Sequence, residues 1–203
     1  MSLKFTILGW LSTAPGSGYD LVRQLDQGLH WFWAAPHSQI YSTLRALENE
    51  GLVTSRAETV GTKLEKRVYE ITAPGREAVR AWSEEPPEYP PSRDAERLKL
   101  IFGDHGDLKA LRRHLETHRD HFTERRDTIR RFLGVLNSRE HPRIELRVER
   151  GRTEAHQELT LELRRLAYRG DVRRAEHEIS WAEEALDWLD SFEARWGSDL
   201  TTQ

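Results

Sequence analysis

The sequence predicts a mainly α-helical chain of two parts, the first of which includes a short β-hairpin. In the first part, three segments with helical spacing of apolar residues precede two short strand-like segments. A proline-rich stretch at residues 85–91 then suits an extended linker. Beyond it, the apolar residues follow helical spacing. We therefore expect domains at residues 1–84 and 94–203, joined by a linker at 85–93.

The first two helices are bounded by breakers and caps. The apolar segment 3–11 ends at the breaker cluster Thr13-Ala14-Pro15-Gly16. A second helix begins after Ser17, whose hydroxyl suits the N-cap position. A loop at 30–37, rich in aromatic residues, separates this helix from the next, and Trp31 and Trp33 are expected to pin it.

The third helix, residues 39–50, is opened by His37 or Ser38 and is expected to end at Gly51. Two strands follow, at 52–56 and 67–72, with a turn between them at 60–63. A fourth helix begins near Pro74 and runs to about Ser83. Three helices followed by a hairpin are the order of a winged helix-turn-helix with a two-stranded wing.

The second part is predicted to be all-helical, beginning with a helix at 94–102. From Leu108 to Leu136, apolar residues at alternating three- and four-residue spacing predict a coiled-coil-like seam, which His118 and Arg125 interrupt. After a break at 137–142, a last segment at about 145–196 has helical spacing, although Gly151 and Gly170 weaken it.

Composition excludes several classes of function. The chain has no cysteine, so disulfides and thiolate metal sites are ruled out. It has no glycine-rich phosphate loop, G-x-S-x-G or HExxH motif, so we expect neither an enzyme nor a cofactor. No apolar run is long enough to cross a bilayer and no signal peptide is recognisable, so a cytoplasmic protein is expected. The net charge of −3 does not by itself indicate nucleic acid.

The third helix has the division of faces that a helix in the major groove of DNA needs. Ile40, Leu44 and Leu47 share one face and should pack inward. Short donors and one cation lie on the outward side: Ser38, Gln39, Tyr41, Ser42 and Arg45. Glutamine can bond adenine in a bidentate manner, whereas Tyr41 and Arg45 suit phosphates.

The hairpin adds three cations, Lys63, Lys66 and Arg67, which suit a wing resting on the DNA backbone or in the minor groove. Composition alone equally allows a solvated polar helix face and a solvated hairpin. The residues considered singly therefore leave both interpretations open.

Residues 33–53 resemble the recognition-helix signature of the bacterial PadR family of regulators. Gly18-Tyr19-Asp20-Leu21 and Val68-Tyr69-Glu70-Ile71-Thr72, followed by Gly75, match the family as well. The resemblance implies a DNA-binding transcriptional repressor, and Tyr19 joins the predicted DNA contacts.

The second part more loosely resembles the helical C-terminal dimerisation domain that the longer members share with virulence-gene activators, with landmarks at 98–102 and Ser180-Trp181. The resemblance implies a homodimer on a pseudo-palindromic operator. The predicted dimer contacts are Leu108, Leu111, Leu115, Phe122, Trp181 and Trp188. The charged segment 164–178 matches no family motif.

Two groups of residues allow further interpretations. Trp181 and Trp188 suit either dimer packing or, by the resemblance, a pocket for a planar aromatic small-molecule effector. His114, His118 and His121 have the spacing of a metal site, but surrounding cations disfavour a metal, and His118 suits a polar residue that fixes the register of the seam. A helical interaction module whose winged domain docks a protein is the alternative function.

Overall fold

The computed structural model describes residues 3–25, 36–60, 64–89, 91, 94–138, 141–151 and 153–200. The chain divides into two compact units, Met1–Pro90 and Pro91–Gln203. Within the described residues, no helix is long and apolar enough to span a membrane. Trp31, Trp33 and most of the predicted loop at 30–37 lie outside the described residues, as does Lys63.

The first unit confirms the predicted winged helix-turn-helix. Its elements are α1 (Leu3–Leu11), β1 (Gly16–Ser17), α2 (Gly18–Gln24), α3 (His37–Asn49), β2 (Val53–Val60), β3 (Leu64–Ile71) and α4 (Ala73–Glu84). The strands of the wing are longer than predicted. The outer part of β2 was not predicted because it has polar residues on both faces and shows no alternation.

A third strand joins the predicted hairpin, and the antiparallel sheet has the order β1-β3-β2. Gly16 pairs with Tyr69 and Ser17 with Val68. Sequence reasoning missed β1 because two residues cannot show periodicity.

The core of the first unit lies between its helices and the sheet. Ile40, Leu44 and Leu47 are each only 1% exposed, which confirms the predicted inward face of α3. They pack in one cluster with apolar residues of α1, α2 and the strands, including Ile7, Leu21 and Val53. Burial of each such side chain contributes about 1.5–3 kcal/mol, so the orientation of α3 is strongly determined.

The helix ends follow from local chemistry. The hydroxyl of Ser17 accepts a hydrogen bond from the Asp20 amide, and the Asp20 carboxylate accepts one from the Ser17 amide, which confirms the predicted N-cap. Gly51 has φ 70° just after α3, the left-handed conformation expected of the residue that ends a helix. Thr72 caps α4 by accepting from the Gly75 amide at 3.1 Å.

The second unit consists of α5 (Ala95–Ile101), a 3₁₀ turn (Gly103–His105), α6 (Leu108–Ser138), α7 (Pro142–Glu149) and α8 (Glu154–Leu200). The prediction of one segment at 145–196 was wrong, since two helices meet near Gly151. Gly151 is buried, and a Cβ there would lie 2.9 Å from the carbonyl oxygen of Val148. Gly170 lies within α8, which continues through it.

Helices α6 and α8 pack against each other along the predicted seam. Leu115 forms a buried cluster with Leu186 and Leu189 of the same chain. The two polar interruptions also have partners on α8: Arg125 lies 2.8 Å from the Asp171 carboxylate, and His118 lies 3.2 Å from that of Glu178. The polar seam positions are therefore satisfied by ion-pair and hydrogen-bond partners within one chain.

Candidate nucleic-acid interface

The outward face of α3 is polar and open to solvent. All five residues predicted there are exposed: Ser38, Gln39, Tyr41, Ser42 and Arg45. The hydroxyl of Ser42 donates to the carbonyl oxygen of Gln39 at 3.0 Å, whereas the side chain of Gln39 makes no hydrogen bond to another described residue. Their role in contacting DNA stays a prediction.

Helix α2 contacts α3 beside this face at Gly18 and Tyr41. A Cβ on Gly18 would overlap the Tyr41 ring at Cε1 and lie 3.0 Å from Cδ1. A glycine at this position therefore lets the two helices approach and supports the Tyr41 ring from one side. Tyr19, the next residue of α2, is exposed.

Lys66 joins the wing to α2, because its ammonium group lies 2.7 Å from the Asp20 carboxylate. Burial disfavours ionisation of Asp20, but hydrogen bonds from Lys66 and Ser17 outweigh it and hold the pKa of Asp20 below its ordinary value. Lys66 is therefore tethered to the helix-turn-helix, with about a third of its side chain exposed.

Arg67 joins the wing to the end of α3. Its Nη2 donates to both carboxylate oxygens of Glu48, at 2.9 and 3.1 Å, and its Nε donates to the Ser55 hydroxyl at 2.7 Å. Ser55 in turn donates to Glu48 at 2.6 Å. The guanidinium also lies 5.6 Å from the centre of the Tyr69 ring. Sequence reasoning missed Glu48 and Ser55, because no local pattern links them to Arg67.

The predicted dimer contacts have different surroundings within the second unit. Leu115 is buried against α8, with Leu108, Leu111 and Trp181 packed around the same cluster. The Phe122 ring lies 4.6 Å from that of His118. Trp188 is 60% exposed and stacks on Phe192. Their role in dimerisation stays a prediction.

A cavity of about 590 Å³ lies among α5, α6 and α8. The Arg97 guanidinium lies over the Trp181 ring there, 4.3 Å from its centre, and bonds Asp94 and Glu178. His114, His118 and His121 line the same cavity. Nowhere in the described part of the chain does a group of three His, Asp or Glu side chains form an arrangement that could hold a metal.

Two family models match the chain. The transcriptional regulator PadR-like family matches residues 7–81, and the C-terminal domain of the virulence activator alpha family matches residues 92–190. The first is a family of transcriptional regulators and not of enzymes, in agreement with the expectation from the sequence.

Two curated relatives match the N-terminal part. The negative transcriptional regulator PadR of Bacillus subtilis is 44% identical over 80 residues, which cover 39% of this chain and 44% of the relative. A probable transcriptional regulator of Mycobacterium tuberculosis is 38% identical over 86 residues, or 42% and 46% of the two chains. The chain thus matches less than half the length of these curated relatives.

Solved structures resemble the chain over nearly its whole length. Bacillus subtilis PadR in complex with operator DNA has a TM-score of 0.65 at 26% identity, covering 92% of this chain and 97% of its own. The same protein with p-coumaric acid has a TM-score of 0.57 at 26% identity, covering 93% and 98%. The Vibrio cholerae virulence activator AphA has a TM-score of 0.66 at 24% identity, covering 94% and 99%, and shows the fold alone.

Proposed function

Since this chain belongs to the PadR-like family of transcriptional regulators, we propose that it binds double-stranded operator DNA through α3 and the wing. The observation that carries the proposal is the division of α3 into an apolar face 1% exposed and a polar face open to solvent. A buried apolar face anchors a helix to its domain, so that the opposite face can enter the major groove as a rigid unit.

Each exposed residue of α3 has a proposed partner on DNA. Gln39, in the first turn, bonds the edge of an adenine. Arg45, two turns further along, bonds a phosphate or a guanine. Pro36 stands at the N-cap position and has no side chain that can accept a hydrogen bond, so the first amides of α3 are suited to a phosphate.

The proposed regulator is a homodimeric repressor. A negative regulator among the relatives supports the repressor role, and the homodimer is what the resemblance of the second unit to the C-terminal domain of virulence activators implies. Helix α8 exposes Leu159, Leu163 and Leu166 at helical spacing, an apolar stripe that a second copy would cover. Two copies would present α3 to half-sites about 34 Å apart, one turn of DNA.

A small aromatic effector is proposed to modulate DNA binding. The cavity that Trp181 and Arg97 line is large enough for such a molecule, and a relative was solved with p-coumaric acid. An effector bound in the second unit would change the separation of the two α3 helices, so that the half-sites are no longer matched. The cytoplasm, where the protein would meet its operator, is the proposed location.

A fluorescence-anisotropy titration with the DNA upstream of the protein's own gene tests the DNA-binding proposal. Arg45→Ala should weaken binding by about tenfold, the effect of one lost base or phosphate contact. Arg80→Ala is the matched control, because Arg80 is also exposed on a helix of the first unit but pairs with Glu77 and Glu84 of α4.

Equal affinities for the wild type, Arg45→Ala and Arg80→Ala would contradict the proposed role of α3. Absence of binding to any duplex at low salt would favour the alternative in which the winged domain docks a protein.

A further inference from the structure

We propose that Glu48 is a positioning residue for DNA binding, which holds the wing at a defined angle to α3 through Arg67 and Ser55. The inference rests on the proposed DNA-binding function. It assigns Arg67 to the internal geometry of the domain instead of to a phosphate contact.

The strand register places Arg67 on the side of the sheet that faces the helices. Val53 pairs with Ile71, Ser55 with Tyr69 and Ala57 with Arg67, so these residues share one face. Val53, Tyr69 and Ile71 are buried in the core cluster. Arg67 therefore lies on the same core-facing side of β3 as Tyr69 and Ile71, nearer to the tip of the wing.

Three side chains from three elements close a ring at this point. Glu48 lies in the last turn of α3, Ser55 on β2 and Arg67 on β3. Arg67 donates to Ser55 and Glu48, and Ser55 donates to Glu48, with all donor–acceptor distances between 2.6 and 3.1 Å. Because each member bonds both others, a rotation of the wing relative to α3 breaks at least two of these bonds.

The ring determines geometry more than stability. The side chain of Arg67 is 55% exposed and that of Glu48 is 27% exposed, and partly exposed ion pairs contribute little to the free energy of unfolding. Variants of the ring should consequently fold. What they lose is the single preferred orientation of the wing when it meets DNA.

The two possible roles of Arg67 predict opposite effects of removing the Glu48 carboxylate on the affinity for DNA. If Arg67 contacts a phosphate, removal of the neighbouring carboxylate lowers repulsion and strengthens DNA binding. If Glu48 positions the wing, its removal weakens binding. The sign of the change in affinity therefore separates the two assignments.

The experiment compares the DNA affinity of Glu48→Ala, Arg67→Ala and the double variant over a range of salt concentrations. Each single variant should weaken DNA binding about fivefold. The affinity of the double variant should be no lower than that of the single variant with the lower affinity, because the residues act as one unit. The slope of log affinity against log salt should stay at the wild-type value, because no phosphate contact is lost.

Arg56→Ala is the matched control. Arg56 lies on β2 of the same wing, its side chain is 57% exposed, and it pairs with Glu58 and Glu70 of the wing itself. Its removal takes away an equally exposed cation but leaves the contacts of Arg67 and Ser55 with Glu48 of α3 in place. Affinity should therefore change by less than about twofold, the scale of an exposed ion pair.

Tighter binding by Glu48→Ala, together with a salt slope reduced by about one in Arg67→Ala, would overturn the inference and leave the proposed function standing. A second measurement needs no DNA: amide hydrogen exchange in β3 of the free protein should be faster in Glu48→Ala and Arg67→Ala than in Arg56→Ala. Equal exchange in all three would overturn the inference even if the wild type bound no duplex.

Discussion

At the scale of single residues, Gly75 in the first turn of α4 lies against the backbone of the preceding loop. A Cβ there would overlap the carbonyl oxygen of Leu52 and lie 2.7 Å from Cγ1 of Ile71. Because a backbone carbonyl cannot yield as a flexible side chain can, Gly75→Ala should lower the free energy of unfolding by about 2–4 kcal/mol. Denaturant unfolding followed by circular dichroism measures the change.

Gly9→Ala is the control for this substitution. Gly9 lies in α1 of the same unit, and a Cβ there would meet no described atom within 4 Å. Alanine favours a helix over glycine, so stability should rise by up to about 1 kcal/mol. Equal effects of the two substitutions would contradict the tight contact at Gly75.

Asp20 should make the first unit sensitive to acid. Its pKa is held below the ordinary value, because hydrogen bonds from Lys66 and Ser17 outweigh the opposing effect of burial. A carboxylate with a lowered pKa stabilises the fold above its unfolded-state pKa of about 3.9, and this stability is lost as the pH falls through the folded-state value. Asp20→Asn should therefore destabilise the protein more at pH 7 than near pH 2.

Denaturation midpoints of the wild type and of Asp20→Asn, measured at both pH values, check this expectation. The other carboxylates titrate in both proteins, so the difference between them reports on Asp20. A difference that stayed constant from neutral to acidic pH would show that Asp20 has an ordinary pKa.

At the scale of elements, two of the ion pairs that join α6 to α8 differ in burial. Arg125 and Asp171 are 18% and 4% exposed, whereas Arg130 and Glu176 are 52% and 43% exposed. Asp171→Ala should lower the free energy of unfolding by about 3 kcal/mol or more, because it leaves a guanidinium buried without its carboxylate. The pair of Arg130 and Glu176 joins the same helices at the same sequence separation. Glu176→Ala should therefore lower the free energy of unfolding by at most about 1 kcal/mol.

Thermal or urea unfolding of the two variants gives these values. Similar losses for Asp171→Ala and Glu176→Ala would mean that burial does not distinguish the two pairs. A loss confined to Glu176→Ala would contradict the packing of α6 on α8.

Periodicity predicted most of the elements because it reports which face of a helix is buried. The spacing of Ile40, Leu44 and Leu47 sufficed to orient α3 and hence to predict its exposed polar face. The seam of α6 was predicted in the same way, but periodicity does not tell which helix covers it. In the structure, α8 of the same chain covers Leu115.

The polar partners could not be predicted from the sequence. Arg67 and Glu48 are 19 residues apart, and Arg125 and Asp171 are 46 apart, so only the folded chain brings them together. The hairpin pattern therefore indicated the wing cations Lys66 and Arg67 but not the carboxylates that bind them. The split of the last segment at Gly151 likewise depends on a close backbone approach that helical spacing does not report.

At the scale of the whole molecule, the second unit should assemble two copies of the chain. Leu163→Glu, in the exposed stripe of α8, should convert a homodimer into a monomer, because a carboxylate would be buried without a partner at the interface. Size-exclusion chromatography with light scattering measures the mass. Leu98→Glu is the control, since Leu98 of α5 is 53% exposed and Leu163 is 57% exposed.

A wild-type mass equal to that of a monomer would contradict the homodimer. Loss of the dimer in Leu98→Glu, with the dimer retained in Leu163→Glu, would move the interface from α8 to α5.

The salt dependence of DNA binding tests the central claim, that α3 and the wing bind an operator, most directly. The wild type would be titrated with the DNA upstream of its own gene and with a scrambled duplex at several salt concentrations. The upstream DNA should bind at least about a thousandfold more tightly than the scrambled duplex, and log affinity should fall linearly with log salt by about 0.9 for each phosphate contact. Absence of binding to either duplex at low salt would contradict the account.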